Sequence, residues 1–523
     1  MAGNAVGQRH DRLEPPLLGD AEVGHVGTAF GAADDRGNGN EQDRHQRMAR
    51  IAPPRVGQSF KTGGKSIHPT LQINREPLNR SASIKQLLTA YMRFPCLVGE
   101  MSGRTEGGVP RRLRLFALAL MTALLPLSAH AAPSKADVEA QFESWVQKDL
   151  WPEAKAGGIS EKTFQAAFSG ITLNWNLPDL APPGFPPPKE QKQTQAEFSS
   201  PGPYFNEDHL KRLAATGRGF AAQYGSTLKR IEKTYGVPGS IVLAIWGRET
   251  GFGAAKIPNS AVEVLATKAF MSTRKEMFRT ELVAALHILD GGDVTPADFK
   301  GSSAGALGQP QFMPTSYLKY AVDFDGDGHR NIWTSVPDTL ASIANFLVKK
   351  GWQRDRDWGF EVSIPEAVSC AQEGPDLAKP LSHWASLGIE RISGKGFPSA
   401  EMKAQGMMLV PAGRDGPEFI VTPNFYVIKE YNNSDLYALY IGNLADRIAA
   451  NGGAFEGRWG DVGKMLRSDV AAMQKALERQ GYDVGGSDGL PGYKTRRSIG
   501  QWQAKNGMKP TCFPEATMKG KLK

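Results

Sequence analysis

Residues 236–253 read GVPGSIVLAIWGRETGFG. Ser240 is placed to cap a helix whose apolar run starts at Ile241 and stops at Gly251 and Gly253. Val242, Ile245, Trp246 and Glu249 follow at offsets i, i+3, i+4 and i+7, so they share one face. The spacing sets a carboxylate on the stripe facing the core, at the last turn, beside a glycine-flanked opening. Burial disfavours the charged carboxylate and raises its pKa, which suits a general acid that must hold its proton near neutrality. A glutamate at a helix end can also be solvated, or buried against Arg248 or another cation, and perturbed carboxylates are often structural.

A second segment adds to this reading. Residues 300–317, KGSSAGALGQPQFMPTSY, form a Gly- and Ser-rich loop leading into a predicted helix. Such a loop lets backbone approach a ligand closely, while Ser302, Gln309 and Gln311 supply uncharged hydrogen-bonding groups. That chemistry fits a polyhydroxylated, amide-bearing substrate, although a plain turn would use similar residues. GxxxxGK[ST] does not occur in it, which argues against a phosphate cradle.

AIWGRETGFG (244–253), GSSAGALGQPQFMPTSYLKYAVDFDGDGHRNIW (301–333) and NFYVIKEYNNSDLYALYIGNLADRI (424–448) together resemble the lytic murein transglycosylase B family, over roughly 136–450. The resemblance implies a lysozyme-like, mainly α (α+β) fold acting on the glycan strands of bacterial peptidoglycan. Hydrolases of such strands usually need two carboxylates. The resemblance instead implies one: Glu249 protonates the oxygen between N-acetylmuramic acid and N-acetylglucosamine, then deprotonates the muramic 6-hydroxyl. That hydroxyl closes onto the anomeric carbon and leaves a 1,6-anhydro end. Neither segment offers a second Asp or Glu with an evident active-site setting. Carried over by motif, Ser302 and Gln311 contact substrate with Met313 beside them, Tyr431 lines the cleft, and Tyr204 is a further candidate. Met313, Tyr431 and Tyr204 would serve equally as core. No cofactor is expected for catalysis.

Asp323, Asp325 and Asp327 stand at the first, third and fifth positions of an EF-hand-like loop, with Gly328 at the sixth and the His329 carbonyl at the seventh. Thr334 holds the twelfth position in place of the bidentate glutamate, and the resemblance offers Asp338 as the later acidic ligand. Three aspartates at alternating positions repel one another without a cation, so a structural Ca²⁺ is expected. An Asp/Gly turn without metal is the other reading.

Outside these motifs, helical patterning covers 134–170 (Val138, Phe142, Trp145 and Val146, then Phe164, Ala167 and Phe168), about 208–250 with a break at Pro238, 274–290 and 336–350. PDLAPPGFPPP (178–188) reads as an extended connector. Apolar and β-branched stretches at 359–372 and 407–430 are predicted strands, and NGGAFEGRWG (451–460) a linker. These give a catalytic domain over 134–452. In the tail, 462–517, Val470, Met473 and Leu477 make one helical stripe and Ile499 and Trp502 a second. GYDVGGSDGLPGYKTRRSIGQWQ (481–503) resembles the peptidoglycan-binding domain attached to cell-wall enzymes, with Met473-Gln474 and Trp502-Gln503 at its apolar-Gln pairs. A small bundle without ligand would also fold at about this length.

Residues 111–131, RRLRLFALALMTALLPLSAHA, have a cationic start, a thirteen-residue apolar run and small residues at a cleavage point. This is the order of a secretory signal peptide, and the run is shorter than the ~20 residues that span a bilayer. An exported, periplasmic, soluble protein without a stable membrane anchor is therefore expected. Residues 1–110 read as a disordered leader or a misassigned start, with Met92 or Met101 as the true one. The chain's 523 residues carry a formal charge of +8, but residues 1–131 hold 17 Lys/Arg against 11 Asp/Glu. The rest holds 45 against 43, so nucleic acid is not expected as a partner. Of three cysteines, Cys96 precedes the cut, while Cys370 and Cys512, in different predicted modules, can form one disulfide or stay two thiols. His209, His287, His329 and His383 show no zinc spacing. Composition leaves the oligomeric state open. Two other functions compete: a non-catalytic wall-binding protein, and a true muramidase or chitin-type hydrolase.

Overall fold

Ser134 opens the first helix with a capping box, its hydroxyl accepting from Asp137 N and the Asp137 carboxylate accepting from Ser134 N. The computed structural model describes residues 133–186, 201–449, 452–460 and 465–522. The leader, the signal-like segment at 111–131 and Pro187–Pro188 of the connector lie outside these residues. Helix α1 (Lys135–Trp145) runs through a π-helical turn, Val146–Leu150, into α2 (Trp151–Ala156), and α3 (Glu161–Phe168) follows a Ser160 cap.

The long helical region resolves into α4 (Glu207–Gln223), α5 (Gly225–Tyr235) and α6 (Gly239–Thr250). Gly236 in the left-handed region ends α5, and Pro238 stands at the N-cap of α6, so Ser240 lies inside the helix and does not cap it. Ile241 through Gly247 are all buried, Leu243 and Ala244 as completely as Val242 and Ile245. The helix is thus apolar all round and enclosed, not one-sided as the i, i+3, i+4 pattern suggests. A two-residue strand β1 (Asn259–Ser260) leads into α7 (Ala261–Met271) and α8 (Lys275–Asp290), and β1 pairs with β2 (Lys300–Gly301). Helices α9 (Pro314–Tyr320) and α10 (Val336–Lys349) follow, and α6 is packed by α4, α5 and α10.

The small β portion is one five-stranded antiparallel sheet. Its strands are β3 (Gly359–Ser363), β4 (Lys379–Pro380), β5 (Glu390–Arg391), β6 (Gln405–Leu409) and β8 (Glu418–Val421), in the order β4-β6-β8-β3-β5. The short β7 (Pro411–Arg414) precedes β8, and α11 (Leu381–Ser386) follows β4. Met407, Leu409, Phe419 and Val421 face the main helical core, while Phe360, Met408, Val410 and Ile420 face a second core with Trp384. Cover on both faces explains why MMLV and FIV read as continuous apolar runs. The predicted strand over 407–430 stops at Val421. Thr422 accepts from Asn424 N, Pro423 takes the first helical turn, and NFYVI belongs to α12 (Pro423–Lys429). The predicted strand over 359–372 likewise stops at Ser363, and Cys370–Gln372 is a 3-10 turn. Helix α13 (Asp435–Ile448), capped by Ser434, packs on α6 and α4.

The tail has its own core of Val470, Met473, Leu477, Ile499 and Trp502 between α14 (Arg467–Arg479) and α15 (Tyr493–Lys505). Its two buried glutamines tie loops. Gln474 Oε1 accepts from Gly489 N at 2.7 Å, and Gln503 Oε1 accepts from Thr511 N and Cys512 N at 2.9 and 3.0 Å. Cys370 and Cys512 form a disulfide that joins the two predicted modules, so they are not separate thiols.

Candidate active site

Glu249 occupies the last turn of α6, which ends at Gly251 in the left-handed conformation. Gly253 follows at φ +78°, and a Cβ there would collide with the Gln309 side chain, so this turn needs glycine twice over. Tyr437, on the first turn of α13, donates its hydroxyl to Glu249 Oε1 at 2.7 Å. Burial pushes the Glu249 carboxyl above its usual range, against the downward pull of the Tyr437 hydrogen bond and the Arg248 charge. Arg248 turns to Tyr204: its Nη2 donates to the Tyr204 hydroxyl at 3.0 Å, and its guanidinium lies 5.0 and 4.7 Å from the Tyr204 and Tyr440 ring centres. Tyr437 and Arg248 both favour the Glu249 charge, and Tyr431 feels that charge in turn.

The Gly-rich loop is fastened to the end of α6. Gln309 Oε1 accepts from Trp246 Nε1 at 2.8 Å, its Nε2 donates to the Trp333 carbonyl, and its own carbonyl accepts from Thr250 Oγ1. Gln309 therefore acts as a structural tie, with its polar atoms engaged within the protein. Ser302 holds a tight turn, its N donating to Ala306 O at 2.8 Å and its Oγ accepting from Ala306 N at 3.2 Å. Gln311 sits at φ +55°, where non-glycine residues are uncommon, and donates Nε2 to Gly308 O at 2.9 Å. Both Ser302 and Gln311 remain partly exposed, as does Met313 at the start of α9.

Tyr431 donates its hydroxyl to the Pro310 carbonyl at 2.6 Å and stacks on Tyr437 with ring centres 6.5 Å apart. One connected set thus joins Glu249, Tyr437, Tyr431 and the Gly-rich loop, and Arg248 brings in Tyr204. The sequence reading does not single out Tyr437. Its signal lies in placement alone, one turn into the capped helix after YNNS and three residues before Tyr440.

Of the five metal-loop residues, Asp323, Asp325 and Asp338 bring carboxylate oxygens within 4.8 Å of one another. Asp338 is fully buried on the first turn of α10 and accepts from Phe324 N, Asp325 N and Asn331 N at 2.8, 3.3 and 2.9 Å. Asp323 accepts from Gly326 N and Gly328 N, which wraps the loop around its carboxylate. Asp327 accepts from His329 N at 2.8 Å, and neither Asp327 nor His329 belongs to the converging trio. Thr334 Oγ1 accepts from Asn331 Nδ2.

Residues 141–446 match the family described as Transglycosylase SLT domain, and residues 467–512 match Putative peptidoglycan binding domain. Membrane-bound lytic murein transglycosylase B of Escherichia coli (strain K12) is 34% identical over 235 residues, 44% of this chain; the match spans 62% of that relative's length. Crystal structures of SltB3 from Pseudomonas aeruginosa, in complex with NAG-anhNAM-pentapeptide and with NAG-NAM-pentapeptide, superpose with a TM-score of 0.65 at 37% identity. Each covers 73% of this chain and 99% of the SltB3 chain. With one domain family spanning most of the described chain and a solved relative matched almost end to end, the chain belongs to the lytic murein transglycosylase family, as an SLT transglycosylase domain followed by a peptidoglycan-binding domain.

Proposed function

We propose that this chain is an exported lytic transglycosylase that cleaves the MurNAc–GlcNAc β-1,4 bond of peptidoglycan, with Glu249 as its single general acid/base. The observation that carries the reading is a carboxyl group at the end of α6, raised by burial and held by the neutral Tyr437 hydroxyl. Protonated Glu249 gives its proton to the bridging oxygen as the bond to the muramic anomeric carbon breaks. The resulting carboxylate, held by the Tyr437 hydroxyl, then takes the proton of the muramic 6-hydroxyl as that oxygen bonds to the anomeric carbon. The same group thus ends protonated and no water is consumed. A hydrolase would need a second carboxylate to activate water or to attack. SltB3 bound to an anhydro-muramic ligand supports this product class by kinship.

Native protein purified from a periplasmic extract is expected to begin at Ala132 and to release anhydro-muramic ends from purified sacculi. Mass spectrometry of the products and of the N-terminus checks both. Reducing muramic ends would indicate hydrolysis instead, and bound sacculi without release a wall-binding role.

The trio Asp323, Asp325 and Asp338 fits a hard, oxygen-liganded cation. Asp338 Oδ2 and both Asp323 oxygens each accept one backbone N–H and keep a further lone pair, and three like charges this close need a counter-ion. Bound Ca²⁺ would supply charge neutralisation to the turn before α10 and no chemistry to the reaction. Saturating calcium at 100 times its dissociation constant is expected to stabilise the protein by about 2.7 kcal/mol over the chelator-treated form. Asp325→Asn should lose most of that gain. Thermal denaturation with calcium and with chelator tests this, and equal midpoints for wild type would remove the site.

A further inference from the structure

We propose that Arg496, which belongs to the peptidoglycan-binding module, is a positioning residue for the catalytic centre, because it clamps the first residue of the helix that presents Tyr437 to Glu249. The inference rests on the functional reading above and adds a part to it. The tail matches a putative peptidoglycan-binding domain; by this inference it also shapes the site.

The clamp is buried. Arg496 has 4% of its side chain exposed, Glu373 none and Asp435 13%. Its Nη2 donates to Glu373 Oε1 at 2.6 Å and to Asp435 Oδ2 at 2.9 Å, its Nε donates to Glu373 Oε2 at 3.0 Å, and its Nη1 to the Pro491 carbonyl at 2.8 Å. The planar fork therefore holds two carboxylates from separate elements of the catalytic domain at once, with a two-nitrogen grip on Glu373 that an ammonium, as a point charge, does not reproduce. Asp435 is the first residue of α13, and its other oxygen accepts from Lys429 Nζ at 2.7 Å. Against the upward push of burial, Lys429 and Arg496 hold Asp435 well below the usual carboxylate range.

Two residues further on, Tyr437 reaches Glu249 and stacks on Tyr431, which holds the Gly-rich loop at Pro310. The start of α13 is thus fixed at three points: the Ser434 cap, the Lys429–Asp435 pair and the tail's Arg496. Removing the last frees the turn from which the Tyr437 hydroxyl is aimed. Arg497, the next residue, also crosses to the catalytic domain, mainly to Asp376, half exposed and not on α13, with a longer 3.4 Å bond to the Glu373 carbonyl. It provides a control for docking of the module as such.

The test uses the full mature chain and a soluble peptidoglycan glycan fragment, with kcat and KM followed against pH. Arg496→Gln, and Arg496→Lys should loss of the buried cation prevent folding, are expected to lower kcat by roughly 3- to 30-fold with KM little changed. The alkaline limb of the kcat profile should move up, because Glu249 loses the hydrogen bond that favours its charged form. Arg497→Gln should leave both parameters at the wild-type level. In a Tyr437→Phe background the Arg496 substitution should have little further effect, since its influence passes through that hydroxyl. A kcat and pH limb equal to wild type in folded Arg496 variants would overturn the inference, as would effects that simply multiply with Tyr437→Phe. A wild-type enzyme that makes no anhydro ends from this fragment would overturn the functional reading first and this one with it.

Discussion

Glu249→Gln is expected to lower kcat on peptidoglycan by about 10²–10⁴-fold, the usual range for losing a positioned general acid/base, with KM little changed. Glutamine keeps the shape of the side chain and can still accept from the Tyr437 hydroxyl, so the loss isolates proton transfer. The same substitution should raise thermal stability. Burial lifts the Glu249 pKa above its unfolded value, so the folded state holds the proton more tightly. The stability this gives is fully present below the unfolded pKa and is lost as pH rises through the folded one. Glutamine does not titrate, so the advantage of the variant should be small at pH 4 and grow towards neutrality and above. Activity assays paired with melting curves at several pH values check both halves. Full activity in Glu249→Gln would end the mechanism, and a stability gain that shrinks with rising pH would contradict the partly buried, proton-holding site. A site that loses stability to keep a group reactive is a common trade in enzymes.

The chemistry was legible where it lay in contiguous residues. Glu249 at the end of an apolar run, the glycines after it and the Gly-rich loop can be read because helix ends and backbone freedom are local properties. What faces Glu249 could not. Tyr437 lies 188 residues away and meets it only because α13 packs on α6. Gln309 shows the opposite case: an amide in a Gly-rich loop suggests a ligand contact, yet Trp246 and Trp333 consume it. The tail's apolar-Gln pairs follow the same rule, since buried amides are placed to satisfy turn backbones. NFYVI reads as strand because Phe, Tyr, Val and Ile favour strands, but the Thr422 cap and Pro423 start a helix there. Asp338 could be offered only by resemblance. Its distance from the loop is bridged by Ser335 capping α10, which turns Asp338 back onto Phe324 and Asn331.

Replacing both Cys370 and Cys512 by serine is expected to cost about 2–5 kcal/mol of stability, the second-largest effect foreseen in this protein. The bond closes a loop of 142 residues, and in the chain-entropy account a loop of that length gives a gain near the top of that range. Both sulfurs lie in the second core with Phe360, Val368 and Trp384. Cys512 also presses against Gly500, where any Cβ would collide with its sulfur. The interface has other ties, but Asp376 in the Arg497 pair is half exposed and such pairs contribute about 0–1 kcal/mol. The buried Arg496 clamp is of a different kind: it rewards correct docking strongly, yet its charges resist burial and its net contribution is small. The disulfide should therefore dominate retention of the module. Denaturant titration of wild type is expected to show one concerted transition that splits or shifts down on adding a reductant, with the serine double variant insensitive to it. Superimposable curves with and without reductant would show that apolar contact and the Arg496 clamp suffice to hold the two modules together.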